Sequence, residues 1–474
     1  MTQKEALDIL KTGRNVFLTG PAGSGKTFVL REYIKYLKDL NANIGITAST
    51  GIAATHMGGT TIHSWSGIGI NNSLTNSEIS EIAERSHVVK KIKDSSVLII
   101  DEISMLSHNH LDLVDKVVRE IKSIDKPFGG MQVVLCGDFF QLPPIHRSGE
   151  LEALFAYHST SWKDMGVKIC YLSEQHRQKD DFLIKILNEV RSGSVSTESS
   201  EILRTRFIKN SNLEATKLYT HNSNVDSENF TELDKISGKK IEYMMRSNGR
   251  KSIIETLKKS CLAPENLGLR KGAKVMFVKN NFEKGYVNGT LRIVEDCEYE
   301  DIRVKTLSGQ IIDVEREYWA IEEDGKTIAE ISQFPLRLAW AITIHKSQGM
   351  SLDAAEIDLS RSFEKGMGYV AISRVRSLDG LFLKGINAMA LEVNQEVLEL
   401  DRKFKKMSET NSFHIRTFGE KKVQEMHEEF KKKIENKSSS KKTKLSTVEE
   451  TKKMLDDGLQ IKKIAEKRGL KLGT

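Results

Sequence analysis

Short apolar runs alternate with helically spaced apolar positions over residues 15–135. Asn15–Thr19 (NVFLT), Ile44–Ala48, Val97–Ile100 (VLII) and Gln132–Leu135 read as strands, while Leu30, Ile34 and Leu37 within Thr27–Leu40 share one face of a helix. Buried strands separated by helices predict a parallel sheet with crossover helices. The same alternation resumes at Ile169–Leu172, Lys217–Tyr219 and Ala355–Asp358, which predicts a second α/β domain. Between Gly272 and Ile331 the texture changes to short β-rich runs (AKVMFV, TLRIVED, IRVKTL, QIIDVE) separated by Asn-Gly, Ser-Gly and Asp-Gly. These are hairpin turn signals, and they predict a small barrel inserted into the second α/β domain.

After Asp401 the chain becomes rich in Lys and Glu, and Asn436–Lys444 (NKSSSKKTK) reads as a flexible linker. Beyond it, Ser446 and Glu449 form a capping box, a helix runs to Asp457, Gly458 makes a turn, and Ile461, Ile464 and Ala465 pattern a second short helix. This resembles the first part of a helix-turn-helix that stops at Thr474, where a third helix would begin. It is either a truncated motif or a helical hairpin that packs elsewhere.

A chain of 474 residues suggests about three domains at ~150 residues each. Apolar runs such as VLII fall far short of the ~18 consecutive apolar residues that a membrane span needs. The start MTQKEALDIL has no signal-peptide pattern. A cytoplasmic or nucleoid location is expected in a bacterium, a nuclear or mitochondrial one in a eukaryote. Cys136, Cys170, Cys261 and Cys297 lie far apart without a CxxC pair, so they read as buried reduced thiols. The net charge of +7 divides into +9 on residues 401–474 and −2 on residues 1–400. Charge alone therefore does not make the main body a nucleic-acid binder. The tail reads as a separate, auxiliary electrostatic arm whose contacts with a polyanion would be salt-sensitive, and its deletion is expected to spare the activity of the main body.

Chemistry concentrates in three places. Gly20–Thr27 reads GPAGSGKT, a full match to the phosphate-binding loop GxxxxGK[ST] between a strand and a helix. The backbone N–H groups of Gly23, Ser24 and Gly25 suit phosphate oxygens, Lys26 the β and γ phosphates, and the Thr27 hydroxyl Mg²⁺. In VLIIDEIS, Asp101 and Glu102 end an apolar strand; Asp101 is suited to hold Mg²⁺ through water and Glu102 to act as general base on the attacking water. In KPFGGMQVVLCGDFFQLPP (Lys126–Pro144), Gln141 is placed to sense the γ-phosphate, and Phe139 and Phe140 serve either core packing or a base contact.

With that last stretch the sequence resembles the petite-integration-frequency (PIF) family of superfamily 1B helicases. The resemblance continues through TASTGIAATHMGGTTIHSWSGIG (Thr47–Gly69), LSEQHRQ (Leu172–Gln178), GAKVMFVKN and YVNGT (Gly272–Asn280, Tyr286–Thr290), LAWAITIHKSQGMSLD (Leu338–Asp353) and YVAISRVRSLDGL (Tyr369–Leu381), together about residues 1–390. It implies an ATP- and Mg²⁺-dependent DNA helicase moving 5′ to 3′ on single-stranded DNA. It further implies two RecA-like domains, a Src-homology-3-like barrel insertion and a helical C-terminal extension. The expected division is residues 1–170 for the first motor domain, 171–270 and 332–400 for the second, 271–331 for the barrel, 401–445 for a basic helical extension and linker, and 446–474 for the partial helix-turn-helix. Residues 68–93, like the barrel, are a candidate wedge.

The resemblance also implies residue roles. Arg177 and Arg374 would stabilise γ-phosphate charge as arginine fingers, Gly349 would let backbone approach the same phosphate, and Gln3 would read adenine. Thr50, Thr61 and His63 in the first domain, with Asn222, His345 and Ser347 in the second, would contact DNA phosphates, while Trp65 would stack on a base or lie in the core. ATP between the domains would close them, hydrolysis would release them, and alternate gripping would move the strand. Single-stranded DNA and duplex junctions are the expected partners, with a monomer in solution and a dimer on DNA. A RecD-like helicase and an NTP-switched DNA-binding or remodelling ATPase without strand separation are the competing readings.

Overall fold

The structure, a computed structural model, describes residues 1–69, 71–144, 153–174, 180–208, 215–221, 225–279, 281, 283–286, 288, 290–305, 309, 311–323 and 326–442. Its first sheet has six parallel strands in the order Thr60–Thr61, Ile44–Ala48, Val97–Asp101, Gln132–Cys136, Val16–Thr19, Lys168–Tyr171. The uninterrupted apolar runs are explained by burial on both faces. Val16, Leu18, Val97 and Ile99 pack with Leu30, Tyr33 and Leu37 of the helix Lys26–Asp39. Phe17, Leu98 and Ile100 point the other way, toward Leu111, Val114 and Val118 of the helix His108–Lys122.

Lys168–Tyr171 pairs in register with Val16–Thr19. The strand expected to begin the second domain is thus the edge of the first sheet. The second sheet contains Ala341–Thr343, Thr216–Tyr219, Ala355–Leu359 and Leu381–Ile386 in that order, all parallel.

Between Tyr219 and Ala341 the strands pair antiparallel. Leu336–Leu338, Lys274–Phe277, Leu291–Cys297, Ile302–Lys305 and Ile311–Val314 form one sheet, and Glu317–Glu323 with Lys326–Gln333 form a hairpin. This part is wider than residues 271–331. It already begins at Ile241–Met244, which pairs with Asn266–Leu269, and Arg246–Gly249 adds a third strand to the hairpin.

Residues 68–93 include most of two helices, Asn76–Glu84 and Ser86–Asp94, whose Ile79, Ile82, Val88 and Ile92 are buried in the first-domain core. Trp65 is 2% exposed in the same core, which rules out base stacking there, and Phe139 and Phe140 are likewise buried. Among the described residues no helix is long and apolar enough to cross a membrane. All four cysteines are free, Cys136 and Cys170 buried, Cys261 and Cys297 only partly so.

The tail departs most from expectation. A helical stretch, Gln395–Lys442, broken at Gly419, continues through most of the expected linker. No Gly or Pro lies between 420 and 442 to stop it. Its Val397 and Phe404 enter the main core, and Phe430 and Ile434 enter the core under the N-terminal helix Gln3–Lys11. Phe404 stacks edge-on to Phe17 at 5.3 Å, and the Tyr171 N–H donates to Ser408 Oγ at 2.9 Å. Its first part is a structural piece of the motor. The helix-turn-helix-like segment 446–474 lies outside the described residues.

Candidate functional site

The strand Val16–Thr19 delivers the glycine-rich loop to the C-terminal edge of the first sheet, where Gly25 (φ 88°) turns the chain into the helix Lys26–Asp39. A backbone in the left-handed region favours glycine, and the orphan N–H groups of the helix start make the loop an anion cradle. The buried Ser24 hydroxyl has no hydrogen-bond partner among the described residues, an open polar atom that suits a phosphate oxygen. Lys26 Nζ donates to the carbonyls of Gly20 at 2.8 Å and Pro21 at 3.0 Å. Burial pulls its pKa below the usual lysine value, opposed by Asp138. Gln3 Nε2 donates to Ser24 O at 3.3 Å, which places the glutamine on the rim of the loop.

A cavity of about 280 Å³ opens over this loop, lined by residues 22–27, Glu102, Gln141, Gly349 and Arg374. It brings the phosphate loop and both strand-end groups of the first domain against two residues of the second. Glu102 sits at the end of the strand Val97–Asp101 with φ 50°, and its N–H donates to Asp101 Oδ1 at 2.9 Å. A non-glycine residue held in the left-handed region is strained, and such strain clusters at functional sites. Burial and the neighbouring Asp101 carboxylate push Glu102 up, to about 7. Burial also raises Asp101, opposed by its bond from the Glu102 N–H and by Cys136.

Arg374 is almost fully buried. Its Nη1 donates to the carbonyls of Ser347 at 3.4 Å and Met350 at 3.3 Å, and its Nη2 to Ser373 Oγ at 2.8 Å. The guanidinium thereby braces the turn that carries Gly349 (φ 76°). Gln348, which sequence reasoning missed, donates from Nε2 to Gln141 Oε1 at 3.4 Å. Its place beside Gly349 in the HKSQG run was the available signal. Arg177 lies outside the described residues.

The set expected on the DNA track divides. Thr50 and Thr61 cap short helices, accepting from the N–H groups of Ala53 and Ser64, and both are part-exposed. Thr61 also borders a second cavity, of about 180 Å³, between the first domain and the inserted part, with Lys279 and Tyr318 opposite. His63 packs edge-on against His110 at 4.9 Å, and burial lowers its pKa to about 4. It is a neutral hydrogen-bonding group at pH 7. Burial likewise lowers His345, which stacks beside the exposed Phe363 at 6.5 Å.

Ser347 does not fit the expectation. It is 0% exposed and its hydroxyl donates to Ile344 O at 2.7 Å, so its side chain braces the turn instead of facing a ligand. Asn222 lies outside the described residues.

For Mg²⁺, Thr27 is exposed and lines the cavity, whereas Asp101 is not among the residues that line it. Among the described residues no group of three or more His, Cys, Asp or Glu forms an all-protein metal cage. Few protein ligands suit a hard ion that keeps water and takes phosphate oxygens from its nucleotide.

The family description "PIF1-like helicase" matches residues 2–201, and "DNA helicase Pif1, 2B domain" matches residues 253–296. The ATP-dependent DNA helicase Pif1 of Psychrobacter sp. (strain PRwf-1) is 40% identical, the match covering all of this chain and 86% of that protein. A crystal structure of Bacteroides sp Pif1 in complex with ADP-AlF4 superposes with a TM-score of 0.76 at 32% identity, covering 86% of this chain and 97% of that one. Bacteroides Pif1 in complex with ADP-AlF3 and single-stranded DNA matches with a TM-score of 0.61 at 32% identity, covering 85% and 96%.

Proposed function

Because the chain belongs to the PIF1-like helicases and is an ATP-dependent DNA helicase, we propose that it moves 5′ to 3′ along single-stranded DNA and hydrolyses ATP in the cavity between its two parallel-sheet domains. The observation that carries this reading is the lining of that cavity, where phosphate-loop residues, Glu102 and Gln141 of one domain meet Gly349 and Arg374 of the other. A nucleotide held by both domains ties phosphate chemistry to domain closure.

In this reading Gly20, Gly23, Ser24 and Gly25 cradle the phosphates, Lys26 binds the β and γ oxygens, and Gln3 faces the adenine. Glu102 takes the proton of the attacking water, and Gln141 orients that water against the γ-phosphate. Arg374, with Arg177, stabilises the charge that develops on the transferred group. Thr27 and Asp101 would hold Mg²⁺, which would neutralise negative charge on the phosphate oxygens.

Thr50, Thr61 and His63 from one domain, with His345 and Asn222 from the other, position a single strand through its backbone. Such contacts are indifferent to sequence, and they fit a main body of net charge −2.

Glu102 acts as carboxylate, and its pKa is raised, so turnover rises with pH through about 7. A DNA-stimulated ATPase profile measured with constant ionic strength reads this directly, and a flat profile across that range would remove Glu102 from the role of base. A fork substrate decides function and direction together. With ATP and Mg²⁺ the protein should release the strand of a fork with a 5′ tail and leave a 3′-tailed fork intact. ATP hydrolysis with release only from the 3′ tail overturns the polarity.

A further inference from the structure

A buried chain of hydrogen bonds runs from the tail helix to the phosphate loop through four side chains that the reading above does not use. Arg191, the last residue of the helix Asp181–Arg191, donates from Nη1 to both carboxylate oxygens of Asp138 at 2.6 Å and from Nη2 to Asp401 Oδ1 at 3.0 Å. Its guanidinium lies over the Phe140 ring at 4.2 Å. The Tyr369 hydroxyl donates to Asp138 Oδ2 at 3.3 Å and accepts from the N–H of Ala22, inside the phosphate loop, at 2.9 Å. Arg191, Asp138, Tyr369 and Asp401 are all buried.

An ion pair this deep is costly to desolvate and is weak evidence of stability in itself; the best-attested use of such pairs is to fix register. Here the register is between domains. Asp138 and Ala22 belong to the first domain, and Tyr369 lies on the second-domain helix Met367–Ile372. The two approach so closely that a Cβ on Gly366 (φ 84°) would lie 2.5 Å from Phe140 O, so glycine is required at the junction. The same helix runs into Arg374, whose Nε donates to Val370 O at 2.9 Å. Fixing Tyr369 against Ala22 therefore fixes the Arg374 guanidinium relative to the phosphate loop.

We propose that Tyr369, clamped by Asp138 and the Arg191–Asp401 pair, is a positioning residue that registers Arg374 against the phosphate loop in the closed motor and couples the tail helix to ATP hydrolysis. The proposal rests on the assignment of Arg374 to the transferred phosphate. Ground-state ATP is held chiefly by Lys26 and the loop amides, which the clamp does not supply. Arg374 acts on charge that appears in the transition state, so loss of register lowers kcat and spares KM.

The test is steady-state ATP hydrolysis by the full chain with saturating oligo-dT, alongside thermal melting. Tyr369→Phe keeps the ring and removes the hydroxyl. It should lower kcat about tenfold, the equivalent of one hydrogen bond, with KM for ATP and melting temperature near wild type. Asp401→Asn should give a smaller loss of kcat, and the double variant should be no worse than Tyr369→Phe alone, because Asp401 acts through Arg191 and Asp138 on the Tyr369 hydroxyl. Wild-type kcat in Tyr369→Phe, a change confined to KM or melting, or losses that multiply in the double variant would each overturn the clamp. Arg374→Ala separates the two ideas. If it retains wild-type kcat, the arginine assignment falls and the clamp with it. If it loses turnover while Tyr369→Phe does not, the clamp alone falls.

Discussion

Glu102→Gln should lower ATP turnover by about 10²–10⁴-fold, the usual contribution of a positioned general base, while single-stranded DNA binding stays near wild type. Glutamine has the size of glutamate and keeps the hydrogen bond from the residue 102 N–H to Asp101 Oδ1, so the strained turn at φ 50° is not disturbed. What disappears is the one carboxylate among the described residues that line the cavity, the group proposed to take a proton from water. Lys26→Ala should be comparably inactive for a different reason. It removes the cation proposed to bind the β and γ phosphates and takes the ammonium donor from the carbonyls of Gly20 and Pro21, of which Pro21 keeps the Ser24 N–H. Steady-state hydrolysis and fluorescence anisotropy with labelled oligo-dT measure the two quantities separately. Full turnover in Glu102→Gln would move the base elsewhere in the cavity.

The cavity over the phosphate loop has parts that are local in sequence. A phosphate loop needs its glycines, lysine and threonine within eight residues, the acidic pair stands at the end of the strand Val97–Asp101, and Gln141 lies on the short loop after the strand Gln132–Cys136. Parallel sheets put strand ends on one edge, so short motifs far apart in sequence converge. Groups whose partners lie far off were not legible. Arg191 meets Asp138 and Asp401 across 53 and 210 residues, and nothing around Arg191 marks it among 72 basic side chains. Ser347 was expected to contact a DNA phosphate from its place in the HKSQG run, yet Arg374 and the Ile344 carbonyl draw that turn inward. Sheet membership was hidden for a related reason. Periodicity identifies Lys168–Tyr171 as a strand, but only pairing with Val16–Thr19 says to which sheet it belongs.

Truncating the chain after Asn394 should abolish the stable motor, whereas truncating after Lys442 should leave ATP hydrolysis and melting temperature close to wild type. Composition concealed this. Residues 401–442 carry +6 of the tail's +9, and in so polar a stretch the apolar positions look incidental. They are spaced for one face, however: Val397 and Phe404 are seven residues apart, as are Val423 and Phe430, and Ile434 follows one turn later. All five are buried. At about 1.5–3 kcal/mol each, their loss costs on the order of 7–15 kcal/mol, comparable to the whole stability of a typical domain at ~5–15 kcal/mol. The shorter chain also loses Asp401, which leaves Arg191 with a single carboxylate in a buried site, and it loses the Arg416 contact that holds Glu5 well below the usual carboxylate range, at about 2. Differential scanning fluorimetry on the two truncations reads the outcome. A well-folded, DNA-stimulated ATPase ending at Asn394 would show that the helix only decorates the motor, and that the charge of the tail, not its packing, is what the chain uses.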